Sequence, residues 1–376
     1  MSEEIKIFFA GDFFDGGRIR DLIINKDYKS VFNDFLPVIK ENDLAIVNLE
    51  APATQSDLPA KKFGPNLKMH PKSLEAIEFA GFNVLALANN HIMDYGGAGL
   101  CETIEWCKKN NINFLGAGKN LEEAKKPLEI NVKGKKISFL NFAENEFSNT
   151  EGKEPGANPL NPISNFYSIK SASKHSDFVF VIIHGGHETY QLPSPRMKET
   201  YRFFIDAGAD AVIGHHTHCF SGFELYKNKP VFYSIGNFIF DKPSKRNNSW
   251  NNGYAVQLII ENRNLSFKLI PYVQNNNLPG IHMLQNKEQR NFEETIKKLN
   301  AIILDDQLLE NEFNGFYNKV KSKYASFIEL YNNKYLNALR KRGLFPSLIR
   351  KNKKRLFLNL VRCESHRDIL LKLLKE

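Results

Sequence analysis

Short apolar runs that end in a polar side chain recur along the sequence, and they restrict the possible folds more than any other feature. The clearest run covers residues 177–183 and leads directly to His184. Another covers residues 211–213 and ends at Gly214, where glycine allows the backbone to turn sharply. Runs of this length and composition predict buried β-strands. Because stretches with helical patterns separate them, the sequence predicts βαβ units in a layered α/β fold.

The other predicted elements extend this order to about residue 270. A helix over residues 71–80 has Pro71 at its first position and Gly81 as its stop, and a helix over residues 194–207 begins with Ser194 as its cap. Further helices are predicted over residues 30–41 and 97–110, strands over 6–12, 44–50, 82–87, 128–132 and 137–142, hairpins over 223–234 and 254–270, and a surface loop over 152–162.

An Asn-rich segment over residues 274–277 marks a boundary in the chain. No strand pattern follows it, and residues 291–376 instead show helical patterns with apolar stripes that are broken at Gly343 and Pro346. We therefore predict a first domain over residues 1–284 and a helical C-terminal extension over residues 285–376.

Polar side chains that can bind a metal ion follow five of the predicted strands. Because the carboxyl ends of the strands in such a sheet meet at one edge, we expect these side chains to share one site. Imidazole and oxygen ligands without thiolate suit Mn, Fe, Zn, Ni or Co, and a carboxylate between two such ions serves in-line displacement at phosphorus. The residues at these strand ends are Asp12, Glu50, Asn90 with His91, His184, and His216 with His218.

The histidines after the strand at residues 211–213 allow two interpretations. On an extended segment, His216 and His218 have their rings on the same side, whereas the ring of His215 points the other way. The first interpretation is that His216 and His218 are metal ligands, and the alternative is that they are structural histidines. Their place beside four other polar strand ends favours the first interpretation.

Nothing in the sequence predicts secretion or a membrane span. No apolar run approaches the roughly 18 to 20 residues that cross a bilayer. The N-terminus carries Glu3 and Glu4 where a secretory signal would have basic residues. The four cysteines form neither a disulfide framework nor a metal-type CxxC pair. We therefore expect a reduced, cytoplasmic protein.

The positive charge of the chain lies in its C-terminal part. Residues 1–284 contain 31 Lys and Arg against 31 Asp and Glu, whereas residues 285–376 contain 20 against 11. Lys341, Arg342 and the basic residues at 350–355 alternate with apolar ones such as Leu344, Phe345, Leu348 and Ile349. Such a segment can lie on an anionic membrane surface at the inner face of the membrane, or it can be a solvated helix face. The sequence contains no recognised nucleic-acid module, so we expect no nucleic-acid partner.

The set of motifs resembles a known family. Asp12, Asn-Leu-Glu at 48–50, the Asn90–His91 segment at 88–96, His-Gly-Gly-His-Glu at 184–188, Gly-His-His-Thr-His at 214–218 and Tyr-Ser-Ile-Gly-Asn-Phe at 233–238 look like the CapA family of capsule and poly-γ-glutamate synthesis proteins. That family belongs to the calcineurin-like metallophosphoesterase superfamily. The resemblance covers residues 5–272 and implies a layered β-sandwich flanked by helices.

The resemblance also implies a role for each residue. Glu50 would bridge two divalent ions, Asp12 and His218 would hold one of them, and Asn90, His184 and His216 would complete the other. His91 would act as a general acid or contact a substrate oxygen, with Asp94 either orienting its ring or serving as a helix N-terminal acid. The implied cofactor is one or two divalent ions, and the implied reaction is phosphoester hydrolysis by a metal-bound hydroxide on an anionic small molecule or polymer.

Several residues leave more than one interpretation open. His187 and Glu188 are predicted either to contact the substrate or to lie in a solvated loop, and Asn237 either to line the pocket or to form a turn with Gly236. Phe14 replaces the histidine of the first superfamily motif, so the ion at Asp12 would bind weakly or be absent. Gly185 replaces a tryptophan that is common in the family, which would enlarge or loosen that wall of the site.

Two further functions remain open at this stage. The chain can be a non-catalytic subunit that binds an acidic polymer or organises a surface-polymer synthase, which the loss of the first-motif histidine and the basic C-terminal part favour. It can also be a hydrolase of amide or glycosidic bonds, because metal-activated water attacks carbonyl carbon as well.

Overall fold

The computed structural model describes residues 4–328 and 350–374, together with Tyr335, Leu339, Arg342 and Leu344. The strands are β1 (Ile5–Phe14), β2 (Leu44–Leu49), β3 (Val84–Ala86), β4 (Asn113–Leu115), β5 (Ala117–Gly118), β6 (Leu128–Val132), β7 (Lys135–Ala143), β8 (Gly156–Ala157), β9 (Phe178–His184), β10 (Ala211–His215), β11 (Phe223–Tyr226), β12 (Lys229–Phe232), β13 (Asn237–Phe240), β14 (Asn252–Glu261), β15 (Asn264–Gln274) and β16 (Ile281–Met283).

The helices of the described residues are α1 (Arg18–Ile24), α2 (Tyr28–Phe32), α3 (Leu36–Lys40), α4 (Lys72–Ala80), α5 (Gly96–Lys109), α6 (Leu121–Ala124), α7 (Pro162–Ala172), α8 (Pro195–Asp206), α9 (Asn286–Leu304), α10 (Asp306–Ile328), α11 (Lys351–Arg362) and α12 (Glu364–Leu373). Short 3₁₀ turns cover Asn33–Phe35, Pro243–Lys245 and Ser249–Asn251. Among these described helices, none combines the length and the apolar character that crossing a bilayer requires.

Two mixed sheets form the body of the molecule. The first has the strand order β16-β15-β14-β1-β2-β3-β4, with β13 pairing against the end of β1. The second has the order β11-β12-β10-β9-β7-β6. The central strands β1 to β4 are parallel to one another, and so are β7, β9, β10 and β12. The ends of these parallel strands therefore bring their polar residues to one edge of each sheet.

Neighbouring residues of β1 show how the two faces of its sheet are used. Successive side chains of a strand point to opposite faces. The Phe9 ring lies 6.3 Å from that of Phe139 and 6.2 Å from that of Phe180, which both belong to the second sheet. The Phe8 ring instead lies 6.4 Å from Phe35, in the helical layer. The predicted α/β fold, a β-sandwich flanked by helices, is therefore confirmed.

The prediction of one helix over residues 30–41 is wrong. The chain forms α2, a 3₁₀ turn and α3 there, and Asn33 at the first junction has a φ of +45°. An α-helix cannot continue through a positive φ, which asparagine tolerates better than most residues. The predicted helices that begin near Pro71 and Ser194 and the two predicted hairpins are confirmed.

The first C-terminal helix, α9, packs directly on the sandwich. Its Phe292 ring lies 5.3 Å from that of Phe220 and 5.7 Å from that of Tyr254. The buried residues of α9 belong to the same hydrophobic core as the two sheets. The helical C-terminal extension is thus confirmed as secondary structure, whereas its division from the body as a separate domain stays a prediction.

The next helices, α10, α11 and α12, have a hydrophobic cluster of their own. They reach the body where the Tyr190 ring stacks on Phe316 at 4.3 Å. On α11, Leu356 and Leu360 are buried, while Lys351 and Lys354 are exposed. Of the basic apolar stretch, Lys341, Gly343 and residues 345–349 lie outside the described residues. Whether this stretch lies on a membrane stays a prediction.

Candidate metal centre

The polar strand ends converge in one buried cluster, here called the strand-end centre. Asn48 on β2 connects two of its acids, because its side-chain amide donates to Asp12 Oδ1 at 2.9 Å and to Glu50 Oε2 at 3.2 Å. Asp12 and Glu50 are both fully buried. The members of the strand-end centre are Asp12, Glu50, Asn90, His184, His216 and His218.

One half of the strand-end centre surrounds the His184 ring. His184 Nε2 lies 3.0 Å from Asn90 Oδ1 and 3.1 Å from His216 Nδ1. It also lies 3.8 Å from Glu50 Oε2. Four candidate ligand atoms from different parts of the chain therefore face one another, as the sequence predicts.

The other half surrounds Asp12. His218 Nδ1 lies 3.5 Å from Asp12 Oδ2, and His218 Nε2 lies 3.8 Å from Glu50 Oε1. One Glu50 oxygen thus faces His184 and the other faces His218, which is the placement that a bridging carboxylate requires. His215 Nδ1 lies 3.2 Å from Asp12 Oδ1. His215 therefore also reaches this half, although strand alternation predicts that its ring points away.

The backbone explains why alternation fails at this place. Strand β10 ends at His215, and His216 and His218 have φ values of +88° and +59°. The segment is therefore a turn and not the predicted extended strand. Both rings still reach the strand-end centre because the turn folds over the edge of the sheet, where the His216 backbone N–H donates to Asp12 Oδ2 at 3.2 Å.

The donor set fits a divalent cation. One ligand atom each from Asp12, Glu50 and His184 lies within 4.8 Å of the others. Glu50 Oε1 is buried and has no hydrogen-bond partner among the described residues. An unpaired buried carboxylate oxygen is unfavourable unless a cation or a proton neutralises it. Oxygen and imidazole donors in this number suit a first-row divalent ion.

The two buried acids have opposite pKa shifts. Burial and the neighbouring Asp12 charge raise the pKa of Glu50 well above 4.5. Burial also opposes the ionisation of Asp12, but hydrogen bonds with His215 and His218 hold its pKa well below 3.8. Burial and the nearby His216 lower the pKa of His184 well below 6.5, so its ring is neutral and able to bind a metal ion.

His91 lies beside the strand-end centre and has its own partners. Its Nδ1 lies 2.6 Å from Asp94 Oδ2, so the aspartate orients the ring. Lys62 pairs with Asp94, and its Nζ lies 3.2 Å from His91 Nδ1. Burial lowers the pKa of His91, and Asp94 opposes that shift. Lys62 was not predicted, because it lies in an irregular segment without a sequence pattern.

Another residue outside the predicted set holds Asn90. The Asn90 side-chain N–H donates to Glu146 Oε2 at 2.9 Å, which leaves Asn90 Oδ1 directed at His184. Burial opposes ionisation of Glu146, but His366 and His216 hold its pKa well below 4.5. Glu146 follows β7 closely, and this position after a buried strand is the signal that could have identified it.

At Phe14 and Gly185, where the sequence departs from the family pattern, other side chains occupy the neighbouring space. The Phe14 ring packs 4.7 Å from Phe240, so this side of the site is aromatic. At Gly185, a Cβ atom would come within 2.5 Å of Glu144 Cγ. The predicted enlargement of the wall at Gly185 is therefore wrong, because Glu144 occupies the space.

The three predicted substrate contacts occupy different surroundings. Asn237 Oδ1 lies 2.9 Å from His218 Nδ1, where it orients that ring. Glu188 is exposed and lies in the turn that follows His184. Partial desolvation opposes ionisation of its carboxyl group, but the charges of His218 and His216 lower its pKa below 4.5. His187 is buried with its ring 5.4 Å from that of Phe313 and is turned towards the C-terminal helices. A substrate role for these residues stays a prediction.

Comparison with known proteins gives matches over the same region. The family model for the bacterial capsule synthesis protein PGA_cap matches residues 6–242. The chain is 32% identical over 250 residues to the capsule biosynthesis protein CapA of Bacillus anthracis, covering 64% of this chain and 61% of that protein. It is 34% identical over 238 residues to the PGA biosynthesis protein CapA of Bacillus subtilis (strain 168), covering 62% and 63%. The matches therefore span less than two thirds of the length of either relative.

A solved structure also resembles this chain. The crystal structure of TT1561 of Thermus thermophilus aligns with 71% of this chain and 99% of its own, at 10% sequence identity and a TM-score of 0.40. Residues beyond 242, including all four C-terminal helices of the described part, lie outside the family match.

Proposed function

This chain belongs to the bacterial capsule synthesis protein family PGA_cap, and we propose that it is a metal-dependent phosphoester hydrolase in the synthesis of capsular polysaccharide or poly-γ-glutamate. The observation that carries the proposal is the position of Glu50, whose two carboxylate oxygens each lie 3.8 Å from a different histidine. Such an acid can serve two divalent ions at once, as in two-metal phosphoesterases. The names of the CapA relatives support a role in the synthesis of such a polymer.

The ligands of the two ions would divide around Glu50. Asn90, His184 and His216 would hold one ion, and Asp12 and His218 would hold the other, with His215 as a further candidate beside Asp12. When bound, the ions would supply positive charge that offsets the negative charge on the phosphoryl oxygens of the substrate. The same charge would make a nucleophilic water acidic enough to ionise near neutral pH. His215 provides a nitrogen donor on the side of the site where Phe14 replaces the histidine of the first superfamily motif.

The remaining residues of the pocket would bind the substrate and move a proton. Asp94 engages His91 Nδ1 at 2.6 Å, which leaves Nε2 as the ring atom that exchanges a proton with the leaving oxygen. The Lys62 ammonium group beside that ring favours an anionic substrate. Glu188 is exposed and would contact the substrate from the turn that follows His184.

We further propose that the chain works at the inner face of the membrane. We propose that the basic residues of the C-terminal part, such as Lys351 and Lys354 on α11, bring the chain to anionic lipid or to a synthase complex. The substrate would be an anionic small molecule or polymer.

The test is hydrolysis of phosphoesters by protein loaded with Mn²⁺ or Zn²⁺, on a panel of phosphomonoesters and phosphodiesters. We expect His91→Ala to lower the turnover rate by about 10² to 10⁴-fold, the usual contribution of a general acid, while the bound metal stays unchanged. His175→Ala is the matched control, because His175 is an exposed histidine. A metal-loaded wild type without activity on any phosphoester would overturn the proposal.

The second candidate function is a non-catalytic subunit that binds an acidic polymer. The aromatic packing of Phe14 against Phe240 favours it, because one superfamily ligand is lost there. The same His91→Ala variant separates the two functions. If that variant supports capsular polymer synthesis in cells as well as the wild type does, the chain acts by binding and not by hydrolysis.

A further inference from the structure

Three potential metal ligands meet where the C-terminal helices contact the body. Cys363 lies between α11 and α12, and His366 lies in the first turn of α12. Residues three apart at the start of a helix lie on the same side of it. The third ligand, Glu146, follows β7 and is 217 residues away from Cys363 in sequence. None of the three belongs to the predicted ligands of the strand-end centre.

The distances between these side chains fit a tetrahedral ion. Glu146 Oε1 lies 3.5 Å from Cys363 Sγ and 3.2 Å from His366 Nε2, and the ligand atoms all lie within 4.8 Å of one another. Usual zinc bond lengths with tetrahedral angles place sulfur and oxygen ligands about 3.5 Å apart, and nitrogen and oxygen ligands about 3.3 Å apart. The side chains are therefore close to the spacing that a bound ion would require.

Two of the three ligands, His366 and Glu146, are each oriented by a further hydrogen-bond partner. The Tyr324 hydroxyl lies 2.7 Å from His366 Nδ1, which leaves His366 Nε2 free to face Glu146 and Cys363. Glu146 uses its other oxygen, Oε2, to accept a hydrogen bond from Asn90. Metal ligands in proteins are commonly oriented in this way by a second hydrogen bond. Cys363 itself is buried, with 1% of its surface exposed.

We propose that Glu146, Cys363 and His366 bind a divalent ion of the zinc class in a second site, separate from the strand-end centre. One thiolate, one imidazole and one carboxylate make a ligand set that selects zinc or cobalt over magnesium and manganese. Three protein ligands leave the fourth position for water. The ion would fasten α11 and α12 to the loop that orients Asn90. This proposal does not depend on hydrolysis at the strand-end centre.

Cobalt is the probe that distinguishes the two sites. Co²⁺ replaces zinc, and only a cobalt ion with a thiolate ligand gives the sulfur-to-metal charge-transfer band in the near ultraviolet. The ligands of the strand-end centre include no sulfur, so that centre cannot give the band. We expect metal-free protein of all 376 residues to develop the band on titration with Co²⁺ and to lose it when Zn²⁺ is added. Saturation with cobalt without any such band would overturn the proposal.

Two matched variants locate the thiolate. Cys363→Ser keeps the size of the side chain and should abolish the band. Cys219→Ser should keep it, because Cys219 is a buried cysteine that contacts Thr217 instead. His366→Gln should weaken cobalt binding at this site. A band that persists in Cys363→Ser, or disappears in Cys219→Ser, would overturn the assignment.

Discussion

The strand-end centre and the contact between the C-terminal helices and the body both contain buried or partly buried charged groups, but their charges are balanced in different ways. At the contact, here called the helix-docking cluster, Arg196 binds Glu144 at 2.7 Å and Asp368 at 2.8 Å. Glu144 also accepts a hydrogen bond from Ser365, and Asp368 faces His187 at 3.7 Å. In the strand-end centre, by contrast, Glu50 Oε1 has no partner among the described residues.

This difference indicates separate tasks for the two regions. A buried acid that is fully paired with arginine contributes to how elements pack, whereas a buried acid without a partner is stable only if a ligand or a proton supplies positive charge. The helix-docking cluster also joins the part of the chain that matches the family, which contributes Glu144 and Arg196, to residues beyond it. The strand-end centre lies within the match to residues 6–242, while Ser365 and Asp368 lie beyond it.

Among the variants that test this difference between the two regions, Glu50→Gln is expected to have the largest effect. The change preserves the size of the side chain and removes the charge that faces both His184 and His218. We expect loss of metal from the strand-end centre and hydrolysis reduced to background, with no loss of folding stability because the buried charge that is removed has one oxygen, Oε1, without a partner among the described residues. Metal content per chain and the thermal unfolding curve measure both effects. Glu144→Gln is the matched control in the helix-docking cluster, and equal loss of metal from both variants would contradict the separation.

The next largest effect is expected from Arg196→Ala in the helix-docking cluster. The variant leaves the buried Glu144 and the partly buried Asp368 without their shared cation. We expect the free energy of unfolding to fall by about 3 to 5 kcal/mol, the usual cost of breaking a buried ion pair, with metal affinity at the strand-end centre retained. Chemical denaturation measures the change. Lys125→Ala removes an exposed ion pair with Glu122 and should change it by less than about 1 kcal/mol. An equally small change for Arg196→Ala would show that the cluster does not hold the helices.

A smaller effect is expected at the edge of the strand-end centre. Asn237 orients the His218 ring through Nδ1 at 2.9 Å, and its side-chain N–H donates to the His218 carbonyl at 3.0 Å. Removing such a partner typically lowers metal affinity about 10 to 100-fold, and we expect this for Asn237→Ala. Competition with a chelating dye measures the affinity. Asn165→Ala, at a buried asparagine in α7, should leave it unchanged, and unchanged affinity in both variants would exclude an orienting role for Asn237.

The strand-end centre could be anticipated because each of its side chains follows a short apolar run. His184 is the last residue of β9 and Glu50 directly follows β2, and the sequence pattern alone predicts both positions. Parallel strands then require such ends to meet. What the structure adds is that these residues do converge, whereas their role as metal ligands stays a prediction. The φ values at His216 and His218 could not be anticipated, because a non-glycine residue rarely adopts them.

The helix-docking cluster could not be predicted by the same reasoning. Glu144 and Asp368 are more than 200 residues apart, and nothing in the local sequence of either specifies the other. Helical periodicity predicts that α12 exists and has an apolar face, but it does not say where that face docks. Lys62 presents the same difficulty, because its partners His91 and Asp94 lie in another segment. Contacts of this kind follow from tertiary packing and need coordinates.

The last test of the comparison is the pH dependence of metal binding. Burial and Asp12 raise the pKa of Glu50 above 4.5, so a cation must displace a proton from it once the pH falls through the raised value. Affinity at the strand-end centre should therefore fall as pH is lowered from 8 to 5, by about tenfold per pH unit for each proton displaced.

Burial opposes ionisation of Asp368, but His187 and Arg196 hold its pKa below 3.8, so the charge of Asp368 stays constant over that range. Titrations with Mn²⁺ at several pH values measure the slope. A flat profile would mean that Glu50 is already ionised at pH 5, and the contrast between the two regions would then rest on geometry and not on protonation.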